Sequence, residues 1–234
     1  KYKKYKKIDY KNFDYIVYAH SFLDTQLQYG NDEFENTYDW LEFTLNKLQK
    51  DNKKVLIKAH PNFYERSLGI LYYWDNKIFN NIKKKYIKNK NFYFLNKPLF
   101  NYELLKKVNK KCILISHHGT VVLEGSYLGF KTIGSEATFY HKKFDHTISW
   151  SNKSEYTKLL ETTYDELKKP NIKGLYELVY RMFFEKDSYY GNKFWEKTIC
   201  DEIGISHKTF TKKIIVTPGM EYINSQKYLD TKVG

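Results

Sequence analysis

Short apolar runs separated by polar segments recur through the first part of the chain. Five of these runs are four to six residues long and rich in β-branched, aromatic and leucine side chains, which is typical of buried strands. Turn-forming or polar residues close them, as His60-Pro61 does for the second run. The predicted strands are Asp14–Ala19, Lys54–Ala59, Asn91–Leu95, Lys111–Ser116 and Lys131–Gly134.

The segments between these strands carry apolar residues at helical spacing, as Leu41, Leu45 and Leu48 do in the first of them. Strand and helix therefore alternate about five times with short connections, the pattern of a doubly wound α/β sheet. We predict a Rossmann-like fold with parallel strands. The predicted helices are Asn31–Lys50, Asn62–Lys88 (as one or two helices), Tyr102–Val108 and Gly119–Leu128.

Beyond the last predicted strand the pattern is helical alone, with Pro170 and Gly191 as separators. We expect residues 14–205 to form one domain, preceded by a basic leader at 1–13. Residues 206–234 have no pattern that assigns a structure. The additional predicted helices are Ser154–Lys169, Leu175–Lys186 and Asn192–Glu202.

Composition limits the class of protein further. The chain has 234 residues and 41% hydrophobic content, which is enough to fill a core and excludes a disordered protein. Its apolar runs are far shorter than the ~18–20 residues needed to cross a bilayer, so the sequence predicts no transmembrane helix. Cys112 and Cys200 are far apart and form no metal motif, which favours a reducing, cytoplasmic setting.

The formal net charge is +13, from 40 Lys+Arg and 27 Asp+Glu. Only Arg66 and Arg181 are arginines, although phosphate and base recognition usually recruits the planar guanidinium. We therefore attribute most of the charge to a lysine-rich composition and expect no nucleic-acid partner. The remainder can attract nucleotide phosphates or anionic lipid head groups.

Polar clusters follow three of the predicted strands. In an open α/β sheet, ligands bind outside the carboxyl ends of the strands, so the clusters are expected to converge on one cleft. His20 and Asp24 follow the first strand, and Lys58 and His60 end the second. The third cluster is Ser116-His117-His118-Gly119-Thr120, with Glu124 about one turn further on.

The first two clusters have residue types suited to phosphate and proton chemistry. His20 and Asp24 can serve as a general acid–base pair, and His60 can donate a hydrogen bond to a phosphate oxygen. Two simpler interpretations stay open at this point. Asp24 can instead cap the next element, and His60 can be an ordinary histidine at a strand end.

In the third cluster a buried strand runs into a helix through Gly119 and Thr120. The N–H groups at a helix start bind phosphate readily, and Glu124 lies within reach of sugar hydroxyls. The chain has neither a glycine-rich dinucleotide fingerprint nor a Walker motif, so neither a dinucleotide oxidoreductase nor a P-loop ATPase is favoured. His117 and His118 diverge and have no suitably spaced third ligand, so we predict no metal and no other cofactor.

These motifs together resemble bacterial capsule and surface-polysaccharide glycosyltransferases of the GT-B type, specifically the capsule synthesis family that includes the Kdo transferases. More distantly they resemble sialyltransferases and the glycerophosphotransferases of teichoic acid synthesis. The resemblance covers residues 14–150. The residues that carry it are His20-Ser-Phe-Leu-Asp24, Asn31–Trp40, Lys58-Ala-His-Pro61, Ser116-His-His-Gly-Thr120, Glu124 and Gly129.

The resemblance implies a role for each matching residue. Asp24 is the candidate general base, with His20 supporting it, and Glu124 binds the ribose or an adjacent hydroxyl. The other residues surround the phosphates or lie near the donor. The implied phosphate ligands are Lys58, His60, Ser116, His118, Gly119 and Thr120, and the further candidate donor contacts are His117, Ser135 and Tyr140.

The implied activity is transfer of a sugar from a UDP- or CMP-linked donor to a growing capsular or surface polysaccharide. The acceptor is expected to be an oligosaccharide or a lipid-linked glycan, and the enzyme to lie in the cytoplasm or peripherally at the inner membrane face. Because the motifs match only the donor-binding half, we expect an N-terminal half elsewhere in the same protein. The alternatives are a nucleotide-sugar epimerase, a glycerophosphotransferase on the same fold, or a non-enzymatic module that binds anions or membranes.

Overall fold

The computed structural model describes residues 8–22, 32–63, 69–95 and 99–183. The chain divides into two compact units, Lys1–Asn171 and Ile172–Gly234. The described part of the second unit is one helix, Ile172–Phe183. The helix predicted at Asn192–Glu202, the domain limit predicted at 205 and the tail at 206–234 lie outside the described residues.

Six strands in the described ranges form one sheet in the order β3-β2-β1-β4-β5-β6, and every neighbouring pair is parallel. The predicted doubly wound α/β fold is therefore confirmed. The strands are β1 (Tyr15–Tyr18), β2 (Val55–Lys58), β3 (Phe92–Leu95), β4 (Ile113–Ser116), β5 (Thr132–Ser135) and β6 (Ile148–Trp150).

Helices connect the strands, and short 3₁₀ turns lie at Tyr10–Asn12 and Pro61–Phe63. None of the helices within the described ranges has the length and apolar character needed to cross a bilayer. The helices are α1 (Thr37–Lys50), α2 (Ile70–Tyr86), α3 (Asn101–Leu105), α4 (Val121–Tyr127), α5 (Phe139–Phe144), α6 (Lys153–Glu161) and α7 (Ile172–Phe183).

Helices α1 to α4 and α6 are shorter than predicted, and in α1 and α6 polar side chains define the ends. The side-chain oxygen of Asn36 accepts a hydrogen bond from the backbone N–H of Asp39 at 2.9 Å, so α1 begins at Thr37. Helix α6 ends at Glu161, and Thr163 then donates its backbone N–H and its hydroxyl to Glu166 at 3.0 and 2.7 Å. Such local bonds replace helical ones.

Helix α5 and strand β6 were not predicted. Strand β6 is three residues long and pairs only with β5 at the edge of the sheet, so its alternation is too short to stand out in the sequence. The resemblance implies that Ser135 contacts the donor. In the structure Ser135 instead ends β5, and α5 follows it.

Successive residues of each strand supply the two hydrophobic layers that cover the sheet. Tyr15 and Val17 of β1 face the layer that includes residues of α1, α2 and α6. Ile16 and Tyr18 face the opposite layer, which includes Leu104 of α3 and residues of α4. Both faces are therefore covered, as an all-parallel sheet requires.

Helix α4 lies close to the sheet at Gly125. An added Cβ there would overlap the side chain of Leu114 and would lie 3.0 Å from Cγ2 of Thr132. We expect Gly125→Ala to lower the free energy of unfolding by about 1–3 kcal/mol through overpacking, although alanine is the better helix former. Urea denaturation measures this change.

A double-mutant cycle provides the control. Leu114→Val shortens the side chain that the new methyl group meets, so the cost of Gly125→Ala should shrink in that background. Equal costs in the two backgrounds, or a gain in stability from Gly125→Ala alone, would contradict the proposed close packing.

Candidate active site

Three histidines meet at the carboxyl edge of the sheet. Tyr18, Lys58 and Ser116 are register partners at the ends of β1, β2 and β4. A histidine follows each of them two residues later, at positions 20, 60 and 118. The ring centroid of His20 lies 5.5 Å from that of His60 and 6.0 Å from that of His118. The structure thus brings together one histidine from each of the three predicted clusters.

The position is the one at which this fold type binds ligands. Strand β1 lies between β2 and β4, and the chain runs from β1 to β2 on one side and from β4 to β5 on the other. Ligands of open α/β sheets bind in the crevice at this reversal of strand order. We call His20, His60 and His118 the histidine cluster.

His118 is a neutral member of the cluster. Burial lowers the pKa of its imidazole to about 2, and the neighbouring His117 and His20 add to the effect. Its Nδ1 lies 2.7 Å from the hydroxyl of Thr138. His118 therefore offers hydrogen bonding rather than positive charge to a ligand.

His117 turns into the protein rather than towards the cleft. Only 4% of it is exposed, and the rings of Phe34, Trp40 and Trp150 surround it at centroid distances of 5.2–6.3 Å. Its Nε2 lies 2.8 Å from Oδ2 of Asp32. The role as a donor contact that the resemblance implied for His117 has no support in this buried position.

Asp32 is a buried carboxylate that the sequence analysis did not identify. The hydroxyl of Ser135 donates to the same Oδ2 that His117 contacts, so Ser135 also serves an interior pair rather than an exposed surface. Burial raises the pKa of Asp32, but the interaction with His117 and the hydrogen bond from Ser135 outweigh that effect. The net pKa is lowered, and Asp32 is ionised at neutral pH.

Lys58 and Glu124 belong to a second polar group beside Tyr18. The Tyr18 hydroxyl donates to Asn101 at 2.5 Å, and the side-chain amide of Asn101 donates to Glu124 at 2.8 Å. The ammonium of Lys58 lies 5.6 Å from the centre of the Tyr18 ring. Burial lowers the pKa of Lys58 and raises that of Glu124, and the attraction between the two charges opposes both shifts.

The predicted phosphate loop is a tight, self-bonded turn. Ser116 is buried, and its hydroxyl accepts a hydrogen bond from the backbone N–H of Gly119 at 3.1 Å. A Cβ at position 119 would lie 2.5 Å from that hydroxyl oxygen, so a larger residue there would displace the Ser116 hydroxyl. Thr120, exposed at the start of α4, is the residue of this turn that faces solvent.

The candidate base Asp24 lies in residues 23–31, outside the described residues, and the side chain of Tyr140 is also outside them. Both flanks of that segment are described. Before it, the carboxylate of Asp75 in α2 accepts the Ser21 hydroxyl at 2.5 Å and the backbone N–H of Phe22 at 2.8 Å. After it, Asp32 contacts His117. Both attachments lie next to members of the histidine cluster.

No protein-family model matches the chain, and neither the curated proteins nor the solved structures gave a significant match. The resemblance to capsule glycosyltransferases therefore stays a prediction. Within the described ranges, no group of three His, Cys, Asp or Glu side chains is arranged to hold a metal ion. The chemistry of the site is therefore inferred from its own residues.

Sequence analysis missed three supporting residues: Asp32, Asp75 and Thr138. Each acts through a partner that is distant along the chain, so no local spacing identified it. The sequence did contain one indication of Asp75. This aspartate occupies an otherwise apolar position of a helix that packs on the core, and a buried aspartate needs a hydrogen-bond partner.

The buried histidines predict loss of stability in acid. Burial holds the pKa of His118 at about 2, that of His141 at about 3 and that of His146 at about 4. An unfolded histidine has a pKa of about 6.5, so the unfolded chain binds more protons between that pH and the folded pKa. The free energy of unfolding is therefore highest above about pH 6.5. Between that pH and its folded pKa, each of these histidines lowers the free energy of unfolding by about 1.4 kcal/mol per pH unit.

Urea denaturation at pH 7.5, 6.0 and 5.0 measures this slope. His141→Asn is the matched variant, because the Nδ1 of His141 lies 2.7 Å from the carbonyl oxygen of Ser135 and an asparagine amide can donate there instead. The variant should lose stability less steeply between pH 6.0 and 5.0. A slope that is flat in the original protein, or equal in both proteins, would show that these histidines do not control acid stability.

Proposed function

We propose that the chain is the nucleotide-sugar-binding part of a glycosyltransferase that extends a capsular or surface polysaccharide. The observation that carries the proposal is the histidine cluster at the reversal of strand order. Imidazoles from three aligned strand ends form a polar surface where this fold type binds nucleotides. The sequence resemblance, which includes the same three histidines, implies the same activity.

The cluster suits a phosphate-bearing leaving group. His20 and His60 are partly exposed, while His118 is buried and neutral. Hydrogen bonds to the donor's phosphate oxygens would strengthen as negative charge develops on the departing phosphate, which is the condition for lowering the barrier. We assign the stabilisation of the departing phosphate to His60 and His118.

The acceptor hydroxyl must lose a proton as the new glycosidic bond forms. We propose that Asp24 accepts that proton and that His20 supports it as the base. Asp24→Asn should therefore abolish transfer and leave nucleotide affinity within about twofold, because the base contacts the acceptor rather than the nucleotide. A transfer assay measures the chemical step and calorimetry with the nucleotide measures binding, so the two effects of the substitution are separated.

Thermal shift and calorimetry with UDP, CMP and CDP test the nucleotide site. A nucleotide at 100 times its Kd stabilises a protein by about 2.7 kcal/mol, which is about 5–10 °C in Tm for a chain of this length. His60→Ala and His118→Ala should each weaken binding about tenfold or more, since each removes a hydrogen bond to a charged group.

Lys54→Ala is the matched control. Lys54 is exposed at the opposite end of the strand that leads to His60 and carries a positive charge of its own. It should leave the affinity unchanged. The proposal fails if none of the three nucleotides stabilises the protein, or if Lys54→Ala weakens binding as much as His60→Ala does.

A further inference from the structure

Thr138 is a buried threonine whose hydroxyl contacts a member of the histidine cluster. The residue is fully buried, and its Oγ1 lies 2.7 Å from Nδ1 of His118. Thr138 directly precedes α5, and its backbone N–H donates to the carbonyl oxygen of Ser135 at 3.2 Å. The hydroxyl therefore has a fixed position in the turn that follows β5.

The contact between Thr138 and His118 lies on the β5 side of the cluster. Strand β4, which leads to His118, lies between β1 and β5 in the sheet. His20 follows β1 and Thr138 follows β5. The backbone N–H of Ser135 also donates to the carbonyl oxygen of His117 at 3.0 Å, which ties the turn with Thr138 to the residue before His118. The turn thus holds one ring nitrogen of His118 from the side opposite His20.

The hydroxyl of Thr138 decides which ring nitrogen of His118 carries the proton. Burial lowers the pKa of His118 to about 2, so its ring is neutral and has one N–H and one bare nitrogen. Within the described residues, Nδ1 of His118 is the one hydrogen-bond partner of the Thr138 hydroxyl. A buried O–H that donates to nothing is costly, whereas an oxygen that accepts nothing is tolerated more readily. The hydroxyl therefore donates to a bare Nδ1, and the ring proton lies on Nε2.

We propose that Thr138 is a positioning residue for the donor's phosphate, because it holds the His118 ring with its proton on Nε2, the form that can donate to a phosphate oxygen. This assignment rests on the proposed transferase function, in which His118 stabilises the departing phosphate. With its proton on Nδ1, the same ring would direct a bare nitrogen at the phosphate, and the two lone pairs would repel each other. Thr138 acts through His118.

His141 provides an internal reference for the position of the proton. Its Nδ1 lies 2.7 Å from the carbonyl oxygen of Ser135, which can only accept, so the proton of His141 lies on Nδ1. Burial lowers the pKa of His141 to about 3, so this ring is also neutral at pH 7.5. The two buried histidines are thus expected in opposite tautomers, since one faces a hydroxyl and the other a carbonyl.

Nitrogen-15 NMR of the imidazole rings in the full chain at pH 7.5 distinguishes the two tautomers. His118→Asn and His141→Asn assign the signals by their loss. His118 should carry its proton on Nε2 and His141 on Nδ1. Thr138→Val removes the hydroxyl and keeps the branched shape, so the Nδ1 resonance of His118 should move to that of a nitrogen without a hydrogen bond. Thr138→Ser should leave it in place.

Two results of the NMR measurement overturn the proposal. The first is a proton on Nδ1 of His118 in the original protein. The second is an Nδ1 resonance of His118 that Thr138→Val does not move.

Nucleotide binding then tests whether Thr138 acts through His118. In calorimetry with UDP, CMP and CDP, Thr138→Val should weaken binding about threefold to tenfold, and Thr138→Ser should leave it within about twofold. In the His118→Ala background, Thr138→Val should weaken binding no further, since no ring remains to be held. An equal loss in both backgrounds shows a purely structural role and overturns the proposal.

Thr44→Val is the matched control for the loss of a buried hydroxyl. Thr44 is also fully buried, but its hydroxyl lies 2.7 Å from both the carbonyl oxygen of Trp40 and the hydroxyl of Tyr156. The substitution should leave the His118 tautomer and the nucleotide affinity unchanged. A change in either as large as that caused by Thr138→Val would contradict the specific role of Thr138.

Failure of this positioning role is distinguishable from failure of the proposed function, because the NMR measurement needs no ligand. Nucleotide binding by a protein whose His118 carries its proton on Nδ1 overturns the role of Thr138 alone. The expected tautomer without binding of any of the three nucleotides overturns the transferase function, and the phosphate role of His118 and Thr138 with it.

Discussion

Parallel pairing in register is the constraint on which the candidate site depends. Because β2 and β4 flank β1 with their ends at one level, the residue two positions beyond each end arrives at the same edge. All three of these residues are histidines. A slip of one residue in either pairing would reverse the side chains of the whole strand relative to the core. The hydrophobic layers on both faces therefore fix the histidine cluster as well as the fold.

Two buried aspartates then fix the surroundings of the cluster. Asp75 joins α2 to the chain after β1, and Asp32 joins the far end of the same connection to β4 and β5. A buried carboxylate is costly unless hydrogen bonds compensate it, and each of these has at least two partners. Both carboxylates are buried, and they hold the two ends of this connection against the rest of the protein.

The sequence was informative where a local pattern decides the structure. Apolar runs predicted β1 to β5, and the ends of three of these strands predicted that His20, His60 and His118 converge. It was uninformative where partners are far apart: Asp32 acquires its role from Ser135, 103 residues away. Strand β6 was missed because three residues carry too little alternation, and it forms only because the edge of β5 is already in place to pair with it.

The net charge of +13 acts at long range rather than inside the cleft. The buried lysines of the described ranges are Lys58 and Lys131. Lys58 lies beside Tyr18 and interacts with Glu124, and Lys131 donates to the backbone carbonyls of Tyr164 and Leu167. The exposed lysines attract anions over about 8–10 Å before salt screens them, which raises the encounter rate without choosing the ligand. In the proposed phosphate site, selection would fall to the neutral imidazole of His118 and its neighbours, because hydrogen bonds depend on the position of each oxygen whereas diffuse charge does not.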